Sequence, residues 1–342
     1  MQYFSKDIGI DLGTSNTLVC HKNKEIIMCE PSVVAVEVKG NTVRAVGSDA
    51  RDMIGRTPGS IVAVQPLKNG VIADFDVTAA MLKRYIKLAL KGSFISRVRV
   101  LISIPTGVTE VESRAVTDAA RQAGAKSVDL IEAPMAAAIG AGLPVWDSVG
   151  SMIVDLGGGT SEVAVVALGD IVTATTIKTA GNDLDEALIT YIRKKHNLLI
   201  GERTAEEIKI ELGSAWETDG EENRVLEISG RNMIDGLPKN ITISAREVRE
   251  ALSEPIQQII NAIRSTLENT PPELASDIID KGITLVGGGA LIPGIDKLIA
   301  LETAIPVNIA DEPLDCVAKG LCKRLEMELP FDTYQSRSKN YR

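Results

Sequence analysis

The sequence predicts an α/β protein with a duplicated, two-lobed fold that holds a metal-bound polyphosphate between its halves. The chain has 342 residues, which is too many for one small core. Two similar runs contain Asp11 and Asp155. In each run an apolar, strand-like stretch ends in the acid, and the chain then turns through glycine into residues with hydroxyl or amide side chains. The order of elements in the second half repeats that of the first, which indicates a repeat of two large halves.

The first half predicts a series of hairpins followed by mixed helices and strands. Strands are predicted near Ile8/Ile10, Leu18/Val19, 26–28, 33–38 and 42–47, and their short connections favour hairpins. Helical periodicity covers 77–91 and 109–123, a strand at 98–104 ends at Pro105, and a strand at 128–131 leads into an Ala-rich helix over 134–142.

The second half predicts the same kinds of element. Strands are expected at 151–156, 162–168, 171–178 and 283–286, and helices near 183–196, 204–215, 245–269, 295–302 and 314–328. Residues 217–224 form a predicted surface loop, and the last dozen residues form a predicted mobile basic tail.

Composition excludes several classes of function. A formal net charge of −9 argues against a general nucleic-acid binder. There is no apolar run of the roughly 18 residues that a transmembrane helix needs, and no signal peptide is apparent, so a cytoplasmic protein is expected. The four cysteines (Cys20, Cys29, Cys316 and Cys322) lack metal-ligand spacing and are expected to be buried thiols in a reducing compartment. With two histidines, a histidine-based zinc site is improbable.

The two acid-glycine runs carry the chemistry. Backbone N–H groups of a glycine turn, together with a hydroxyl, can bind an anion. An acid at a strand end can hold a hydrated metal ion. Either Asp11 or Asp155 alone is more simply an ordinary strand-end acid, but two such runs in this order indicate a site for a metal-bound polyphosphate.

Further runs accompany these two in a definite order. They are Cys29–Ala35, Gly70–Phe75, Pro134–Pro144, Leu199–Glu206, Pro271–Asp277 and Gly287–Leu291. With them the chain resembles the actin, sugar-kinase and 70-kDa heat-shock superfamily of ATP-binding proteins, and within it the bacterial actin family of MreB and its paralogues. The resemblance covers about residues 6–327 without large gaps.

The resemblance implies an actin-like (ribonuclease H-like) fold with a nucleotide cleft and a smaller subdomain on each lobe. The expected subdomains are IA (1–31 and 71–145), IB (32–70), IIA (146–180 and 246–329) and IIB (181–245), with a flexible tail over 330–342.

The resemblance also implies ATP and Mg²⁺ as ligands. The residues expected to hold the β- and γ-phosphates are Gly13, Thr14, Ser15 and Asn16 from one lobe and Gly157, Gly158, Gly159 and Thr160 from the other. Asp11 and Asp155 are expected to reach Mg²⁺ largely through water. The residues expected to enclose ribose and adenine are Glu206, Glu207, Ile208, Lys209, Gly287, Gly288, Gly289 and Ala290. A solvated helix face and an ordinary strand-end turn are the alternatives for these last two groups.

One position departs from the family pattern. In the family, the residue before the proline that starts the helix at Pro134 orients the attacking water, and it is usually Glu, or Gln in actin. Here that residue is Ala133, which cannot accept a hydrogen bond from water. Thr160, the other residue that faces the water, is retained, and Glu132 could substitute only if the strand end rotates. Slow hydrolysis is therefore expected.

A second feature is the segment Lys91–Arg97, which joins a predicted helix to a strand. Phe94 and Ile95 lie among basic residues, which suits shallow insertion into an anionic membrane. The resemblance implies membrane binding through this loop or an N-terminal segment, where Tyr3 and Phe4 could contribute. The alternative is that Phe94 and Ile95 pack onto the domain core.

The function implied by the resemblance is that of a cytoskeletal homopolymer of paired protofilaments at the inner face of the cell membrane. It would organise cell-wall synthesis with cell-wall elongation proteins, maintain rod shape, and bind no nucleic acid. A sugar or acetate kinase lacks an obvious substrate pocket here, and a chaperone-like ATPase would need a C-terminal substrate domain. A regulatory actin-like subunit that binds nucleotide without turnover remains an alternative because of Ala133.

Overall fold

The computed structural model describes residues 6–22, 25–40, 42–56, 59–90, 98–217, 220 and 223–327. Phe94 and Ile95, the candidate membrane-inserting residues, lie outside the described residues, as do Tyr3, Phe4 and the predicted tail.

The elements of the first half alternate hairpins with helices. They are β1 (Lys6–Leu12), β2 (Asn16–His21), β3 (Ile26–Pro31), β4 (Val34–Glu37), β5 (Val43–Val46), α1 (Ser48–Arg51), β6 (Ile61–Val64), β7 (Leu67–Lys68), β8 (Val71–Ile72), α2 (Phe75–Ala89), β9 (Val98–Ile104), α3 (Glu110–Gln122), β10 (Ser127–Glu132) and α4 (Ala133–Gly140).

The second half begins with a similar series. Its elements are β11 (Ser151–Leu156), β12 (Ser161–Ala167), β13 (Asp170–Ile177), α5 (Gly181–His196), β14 (Leu198–Leu199), α6 (Glu202–Leu212), β15 (Val225–Asn232), β16 (Pro238–Ser244), α7 (Ala245–Glu268), α8 (Pro272–Lys281), β17 (Ile283–Val286), α9 (Ile295–Thr303), β18 (Val307–Ile309) and α10 (Cys316–Glu326). Short 3-10 helices cover Gly288–Leu291 and Pro313–Asp315.

Two five-stranded sheets with matching topology form the centres of the two lobes. In lobe I the order is β10-β9-β1-β2-β3, and in lobe II it is β18-β17-β11-β12-β13. In both sheets the central strand pairs antiparallel with the strand that follows it and parallel with a strand from later in the chain. The predicted duplicated α/β fold is confirmed, and the two acid-glycine runs occupy equivalent places at the ends of β1 and β11.

Smaller sheets extend each lobe. Strands β4, β5 and β6 form one three-stranded sheet, and β14, β15 and β16 form another, while β7 and β8 form a short ribbon. Local sequence fixes the helix starts near them: the Ser244 hydroxyl accepts from the backbone N–H of Glu247, whose carboxylate accepts from Ser244 in return. Thr109 and Glu112 form the same reciprocal cap at the start of α3.

A third apolar core lies around α4 and α10 and contacts both central sheets, through residues such as Leu101 and Ile153. The two helices cross with their backbones in contact. A Cβ atom at Gly140 would overlap the carbonyl oxygen of Cys316, and one at Gly320 would overlap that of Ala136. The crossing therefore fixes α4, whose first residue, Ala133, lies beside the cleft.

The predicted strands and helices are confirmed in type, with ends displaced by a few residues. The hairpin of β15 and β16 and helix α8 were not predicted. Polar and apolar residues alternate across both strands of that hairpin, and Asp235-Gly236 supplies its turn. Among the described residues, no helix is long and apolar enough to cross a bilayer.

The cysteine prediction needs a correction. Cys29 is exposed at the end of β3, so the expectation of four buried thiols is wrong there, whereas Cys316 is buried. The sulfur atoms of Cys20, on β2, and Cys322, on α10, lie in contact beneath the sheet of lobe I.

Candidate functional site

A cavity of about 480 Å³ lies between the two lobes. Both acid-glycine runs, the N-termini of α4 and α5, one face of α6 and the turn after β17 contribute to its wall. The predicted site residues that line it are Asp11, Gly13, Thr14, Ser15, Asn16, Asp155, Gly157, Gly158, Gly159, Thr160, Glu206, Lys209, Gly287, Gly288 and Gly289. The structure thus brings together residues that are up to 278 positions apart in sequence.

The two glycine turns face each other across the cavity at close range. A Cβ atom at Gly158 would overlap Ser15 Oγ, and one at Gly159 would overlap Thr14 Oγ1. The Ser15 hydroxyl also lies 3.3 Å from Asn182 Oδ1 on α5. Glycine is required in lobe II because the side chains of lobe I occupy the space.

Each turn is braced by hydrogen bonds from its own lobe. In lobe II the backbone N–H groups of Gly181 and Asn182, at the start of α5, donate to the carbonyl oxygens of Gly157 and Gly158 at 3.0 and 2.8 Å. In lobe I the Ser32 hydroxyl donates to Gly13 O at 2.6 Å. These contacts hold both turns in a fixed conformation that leaves them directed at the cavity.

Two buried carboxyl groups lie on the floor of the cavity. Burial raises the pKa of Asp11 to about 6, against the effect of the Ser103 hydroxyl, which donates to Asp11 Oδ1 at 2.8 Å. Burial and the charge of Asp11 raise the pKa of Asp155 to about 7. Two acids whose proton affinity is raised by burial, and in Asp155 also by the charge of Asp11, are suited to a divalent cation, which would compensate both charges.

The described residues contain no group of three or more His, Cys, Asp or Glu side chains placed to hold a metal ion. Asp11 and Asp155 alone do not complete a coordination sphere. This donor set fits Mg²⁺, since that ion keeps several waters and takes its other ligands from phosphate oxygens.

Helix α6 presents one face to the cavity. Glu206 and Lys209 line it, whereas the exposed Glu207 pairs with Arg203 at 3.2 Å and Ile208 is fully buried in the core. Successive residues of a helix are 100° apart, so four consecutive residues cannot all face one ligand. The prediction therefore included two residues, Glu207 and Ile208, that the structure places outside the cavity.

Lys209 is held in place by lobe II. Its Nζ lies 2.8 Å from Asp185 Oδ1 and donates to the carbonyl oxygen of Gly181 at 2.9 Å. Burial raises the pKa of Asp185 to about 6 despite the opposing charge of Lys209. Glu206 instead pairs with Arg51 of α1 at 2.5 Å, which joins the two lobes across the rim of the cleft.

The turn after β17 forms an apolar end of the cavity. Gly287, Gly288 and Gly289 line it, but Ala290 is fully buried beneath them, against the prediction that it contacts the base. Three exposed apolar side chains surround this end: Ile210, Leu291 and Leu314, with exposed fractions of 72%, 54% and 51%. Such exposure of apolar surface at a cavity mouth suits a flat aromatic ligand.

The remaining predicted residues concern hydrolysis. Ala133 lines the cavity as the first residue of α4, and among described residues the lining does not include Glu132, the residue before it. Thr160 lines the cavity, and so does Glu162, a carboxyl that is only 3% exposed. Burial raises the pKa of Glu162 to about 8, although hydrogen bonding to Thr106 opposes the shift.

Several lining residues were not predicted. The polar and glycine positions among them are Gly70, Ser103, Glu162, Gly181, Asn182 and Asp185. Strand alternation was a usable signal for Glu162. Side chains two positions apart in an extended segment point to the same face, so Glu162 is expected on the same side as Thr160. Ser103 and Gly70 have no comparable signal, since they reach the cavity only through the pairing of β9 with β1 and the packing of the β7–β8 ribbon.

Comparisons with known proteins agree with this geometry. The family model described as MreB/Mbl protein matches residues 5–331. The chain is 52% identical over 323 residues to the cell shape-determining protein Mbl of Bacillus cereus, with 94% of this chain and 96% of that protein covered. It is 51% identical over 329 residues to the cell shape-determining protein MreB of Escherichia coli K12, with 95% and 94% covered.

A solved structure extends the comparison to the fold. The crystal structure of MreB 5 of Spiroplasma citri bound to AMPPNP matches with a TM-score of 0.88 at 39% identity, and 98% of each chain is covered. The chain therefore belongs to the MreB/Mbl family of cytoskeletal cell-shape proteins and has an actin-like fold.

Proposed function

We propose that this chain is an ATP-binding subunit of a membrane-associated filament that organises cell-wall synthesis and maintains rod shape. The observation that carries the proposal is the pair of glycine turns facing each other above two buried carboxyl groups, Asp11 and Asp155. The relative from Spiroplasma citri, solved bound to AMPPNP, supports nucleotide binding by this chain.

The proposed roles follow from position. Backbone N–H groups of the two turns bind the β- and γ-phosphates, while Thr14 and Ser15 supply hydroxyl groups. Asp11 and Asp155 hold Mg²⁺ through water, and the bound ion supplies charge neutralisation to the phosphates. Glu206 and Lys209 contact the ribose, and the apolar end of the cavity takes the base. Equilibrium titration with a fluorescent ATP analogue, with and without Mg²⁺, tests this arrangement; no saturable binding contradicts it.

We further propose that hydrolysis is slow. Ala133 lines the cavity where a water-orienting carboxylate would stand, and its methyl group accepts no hydrogen bond. Ala133→Glu should raise the rate of phosphate release by about 100-fold, the scale of a positioned catalytic group. A wild-type rate equal to that of a relative with glutamate at this position would contradict slow hydrolysis. Complete absence of turnover, together with tight ATP binding, would instead favour the non-hydrolysing regulatory subunit.

Self-association is supported by two apolar surfaces on lobe II. The first is the β12–β13 turn, where Leu168 is 71% exposed with a left-handed φ of 53° and lies near the half-exposed Trp146. The second is the β15–β16 turn, where Met233, Ile234 and Leu237 are exposed by 54%, 81% and 62%. Exposed apolar clusters of this kind mark interaction surfaces.

These two surfaces lie at opposite ends of the lobe. The first turns of helix α7 lie on the side of the second surface. Glu247 contacts His196 at the end of α5, at 2.9 Å. The carbonyl oxygen of Asn197, which follows α5, accepts from the backbone N–H of Met233. Farther along α7, Gln258 contacts Thr179 and Thr266 contacts Thr175. The helix therefore runs antiparallel to β13, toward the first residues of that strand and the β12–β13 turn. Contact between two different apolar surfaces of successive copies would be head-to-tail and would produce an open filament.

Pelleting with ATP tests the filament. Leu168→Asp and Ile234→Asp should each abolish sedimentation while leaving nucleotide affinity unchanged, because a charge at the centre of an apolar contact remains unpaired. Val225→Asp is the matched control, since Val225 is 56% exposed on β15 outside both surfaces. Full sedimentation of both interface variants would contradict a head-to-tail contact at these turns.

Membrane association and partners are proposed from the sequence. Phe94 and Ile95 with flanking lysine and arginine residues would insert into the anionic inner surface of the cell membrane, where the filament would engage cell-wall elongation proteins. Phe94→Ser with Ile95→Ser should reduce co-sedimentation with anionic vesicles, whereas Leu88→Ser, a 42% exposed position on α2, should not. Undiminished co-sedimentation of the double variant rules the loop out.

A further inference from the structure

We propose that Glu162 is a positioning residue for ATP hydrolysis and partly replaces the carboxylate missing at Ala133, by orienting the hydroxyl of Thr160 toward the attacking water. The inference rests on the ATP binding and turnover proposed above. It concerns a residue that lines the cavity and is 3% exposed.

The placement of Glu162 follows from strand geometry. Thr160 immediately precedes β12 and Glu162 is the second residue of that strand, so both side chains leave the same side of the sheet. Thr160 Oγ1 lies 3.5 Å from Glu162 Oε1, at the outer limit of a hydrogen bond. Glu162 Oε2 is fixed by the backbone N–H of Thr106 at 3.0 Å. One carboxylate oxygen is thus anchored to lobe I and the other is directed at the threonine hydroxyl.

This arrangement determines which way the threonine hydroxyl points. Burial raises the pKa of Glu162 to about 8, so above that pH the group is a carboxylate, which only accepts hydrogen bonds. The Thr160 hydroxyl then donates to Glu162 and keeps its lone pairs for a proton of water. The water oxygen is then free to form its bond to the γ-phosphorus while the bond to the β,γ-bridging oxygen breaks. That oxygen leaves with ADP, and both water protons leave on the dihydrogen phosphate product.

A second polar side chain, that of Thr106, belongs to the residue that anchors Glu162. The hydroxyl Oγ1 of Thr106 is buried and, among the described residues, has no hydrogen-bond partner. Buried polar groups are normally satisfied by protein or by ordered water. The Thr106 hydroxyl is therefore a group that an ordered water beside Glu162 would satisfy.

A purely structural role is the competing explanation, because the Glu162–Thr106 hydrogen bond joins the two lobes. The structure offers a matched control for it. Thr176, on β13, also joins the lobes at this point by donating to the carbonyl oxygen of Thr106 at 3.2 Å. Thr176 is absent from the cavity lining, so Thr176→Val removes an interlobe contact without changing the hydroxyl of Thr160.

The test combines single-turnover phosphate release with equilibrium binding of a fluorescent ATP analogue, in the full chain with Mg²⁺ at about pH 9, where Glu162 is ionised. Glu162→Gln keeps the size of the side chain, but its one carbonyl oxygen cannot accept from both Thr106 and Thr160. We expect it to lower the rate by about tenfold, the effect of one oriented hydrogen bond, and to change affinity by less than about twofold. Thr176→Val should change neither quantity by more than about twofold.

A rescue variant completes the design. Adding Ala133→Glu to Glu162→Gln should restore at least the wild-type rate, because the carboxylate at 133 then orients water directly. Rescue would also exclude a folding defect as the cause of the slower rate, because Ala133→Glu could not repair such a defect. Thermal melts of all variants measure their stability directly.

The outcomes separate the two proposals. Failure of the wild-type protein to bind the analogue overturns the proposed function and this inference with it. Binding with an unchanged rate in Glu162→Gln overturns the inference alone, as does binding without any wild-type turnover. Equal losses in Glu162→Gln and Thr176→Val, or a parallel loss of affinity, assign Glu162 to the structural role.

Discussion

The glycine turn of lobe I and that of lobe II descend from the same sequence pattern, yet they contribute different groups to the cleft. Lobe I supplies side chains, since Thr14 and Ser15 project across the gap. Lobe II supplies space and backbone, since Gly158 and Gly159 face those side chains and any Cβ there would overlap them. The two turns are therefore complementary in shape. Two copies of the lobe I turn would overlap, and two copies of the lobe II turn would lack the hydroxyl groups.

The two acids differ in the same way. Asp11 receives a hydrogen bond from Ser103 at 2.8 Å, which lowers its pKa against the effect of burial, whereas burial and the charge of Asp11 together raise the pKa of Asp155. The acid of lobe I is locally supported, and that of lobe II depends more on a cation for compensation. Duplication preserved the position of each carboxyl but not its environment.

The largest effect should come from removing either acid. Asp11→Asn and Asp155→Asn should each weaken ATP binding in the presence of Mg²⁺ by about 100-fold, because each deletes a charge that the metal ion compensates. Titrations in EDTA provide the control, in which wild type and variants should agree within about threefold. An effect confined to one of the two acids would mean that only one lobe holds the metal.

The next effect tests the fit between the turns. Gly158→Ala should weaken nucleotide binding by about 10- to 100-fold, since overpacking typically costs about 1–3 kcal/mol. In a chain that already carries Ser15→Gly, Gly158→Ala should weaken binding by no more than about twofold further, because the overlapping hydroxymethyl group is gone. Gly201→Ala is the matched control, because no atom lies within 4 Å of a Cβ placed there. An equal loss from Gly158→Ala with and without Ser15→Gly would show that the contact between the turns does not set the geometry.

A separate effect should appear in the stability of the nucleotide-free protein. The pKa of Asp155 is raised from 3.8 to about 7, so the folded state keeps a proton that the unfolded chain releases. The free energy of unfolding therefore falls as the pH rises from about 4 to about 7 and levels off above that range. Asp155→Asn should remove this loss.

Urea titration in EDTA measures this difference. At pH 7.5 the asparagine variant should gain about 4 kcal/mol in free energy of unfolding, and at pH 4 almost nothing. Asp11→Asn should gain less, because the pKa of Asp11 is raised only to about 6. A gain of the same size at both pH values would contradict a titration origin.

The smallest effect should come from the rim, far from both turns. Arg51 and Glu206 join the lobes at 2.5 Å, but their side chains are 43% and 38% exposed. Pairs exposed to this extent contribute about 0–1 kcal/mol. Arg51→Ala should therefore accelerate nucleotide dissociation by about twofold at low salt and not at high salt, as measured by stopped-flow displacement. A larger change in the dissociation rate would show that the ion pair at the rim, and not the contact between the turns, holds the cleft closed.

The floor of the cleft was predictable because its signals are local. Asp11 and Asp155 end apolar strands and precede glycine turns, so sequence order alone identified them. The contribution of helix α6 was harder to predict. The resemblance implied that this helix lines the site, but not which of its residues face the cavity. Packing against α5 and α7 places Ile208 in the core and leaves Glu206 and Lys209 facing the cavity. Ala290 was misplaced for the same reason, since the 3-10 turn directs it away from the cavity.

Other parts depended on contacts that no local pattern shows. Ser103 approaches Asp11 because β9 pairs with β1, and Cys20 meets Cys322 because α10 packs against that sheet. Glu162 is the exception: its spacing from Thr160 on a strand was visible in the sequence, but a buried acid is hard to anticipate on a strand that is otherwise apolar. The hairpin of β15 and β16 was not predicted, although polar and apolar residues alternate along both strands.

The apolar end of the cavity has a consequence for selectivity. Ile210, Leu291, Leu314 and the glycine backbone offer van der Waals contact to a flat ring. Walls of this kind discriminate weakly between purines, because rejection by large factors needs a buried polar group left unpaired by the wrong ligand. We therefore expect the phosphates to be recognised far more strictly than the base, so that in a cell the relative abundance of purine triphosphates decides which nucleotide occupies the cleft.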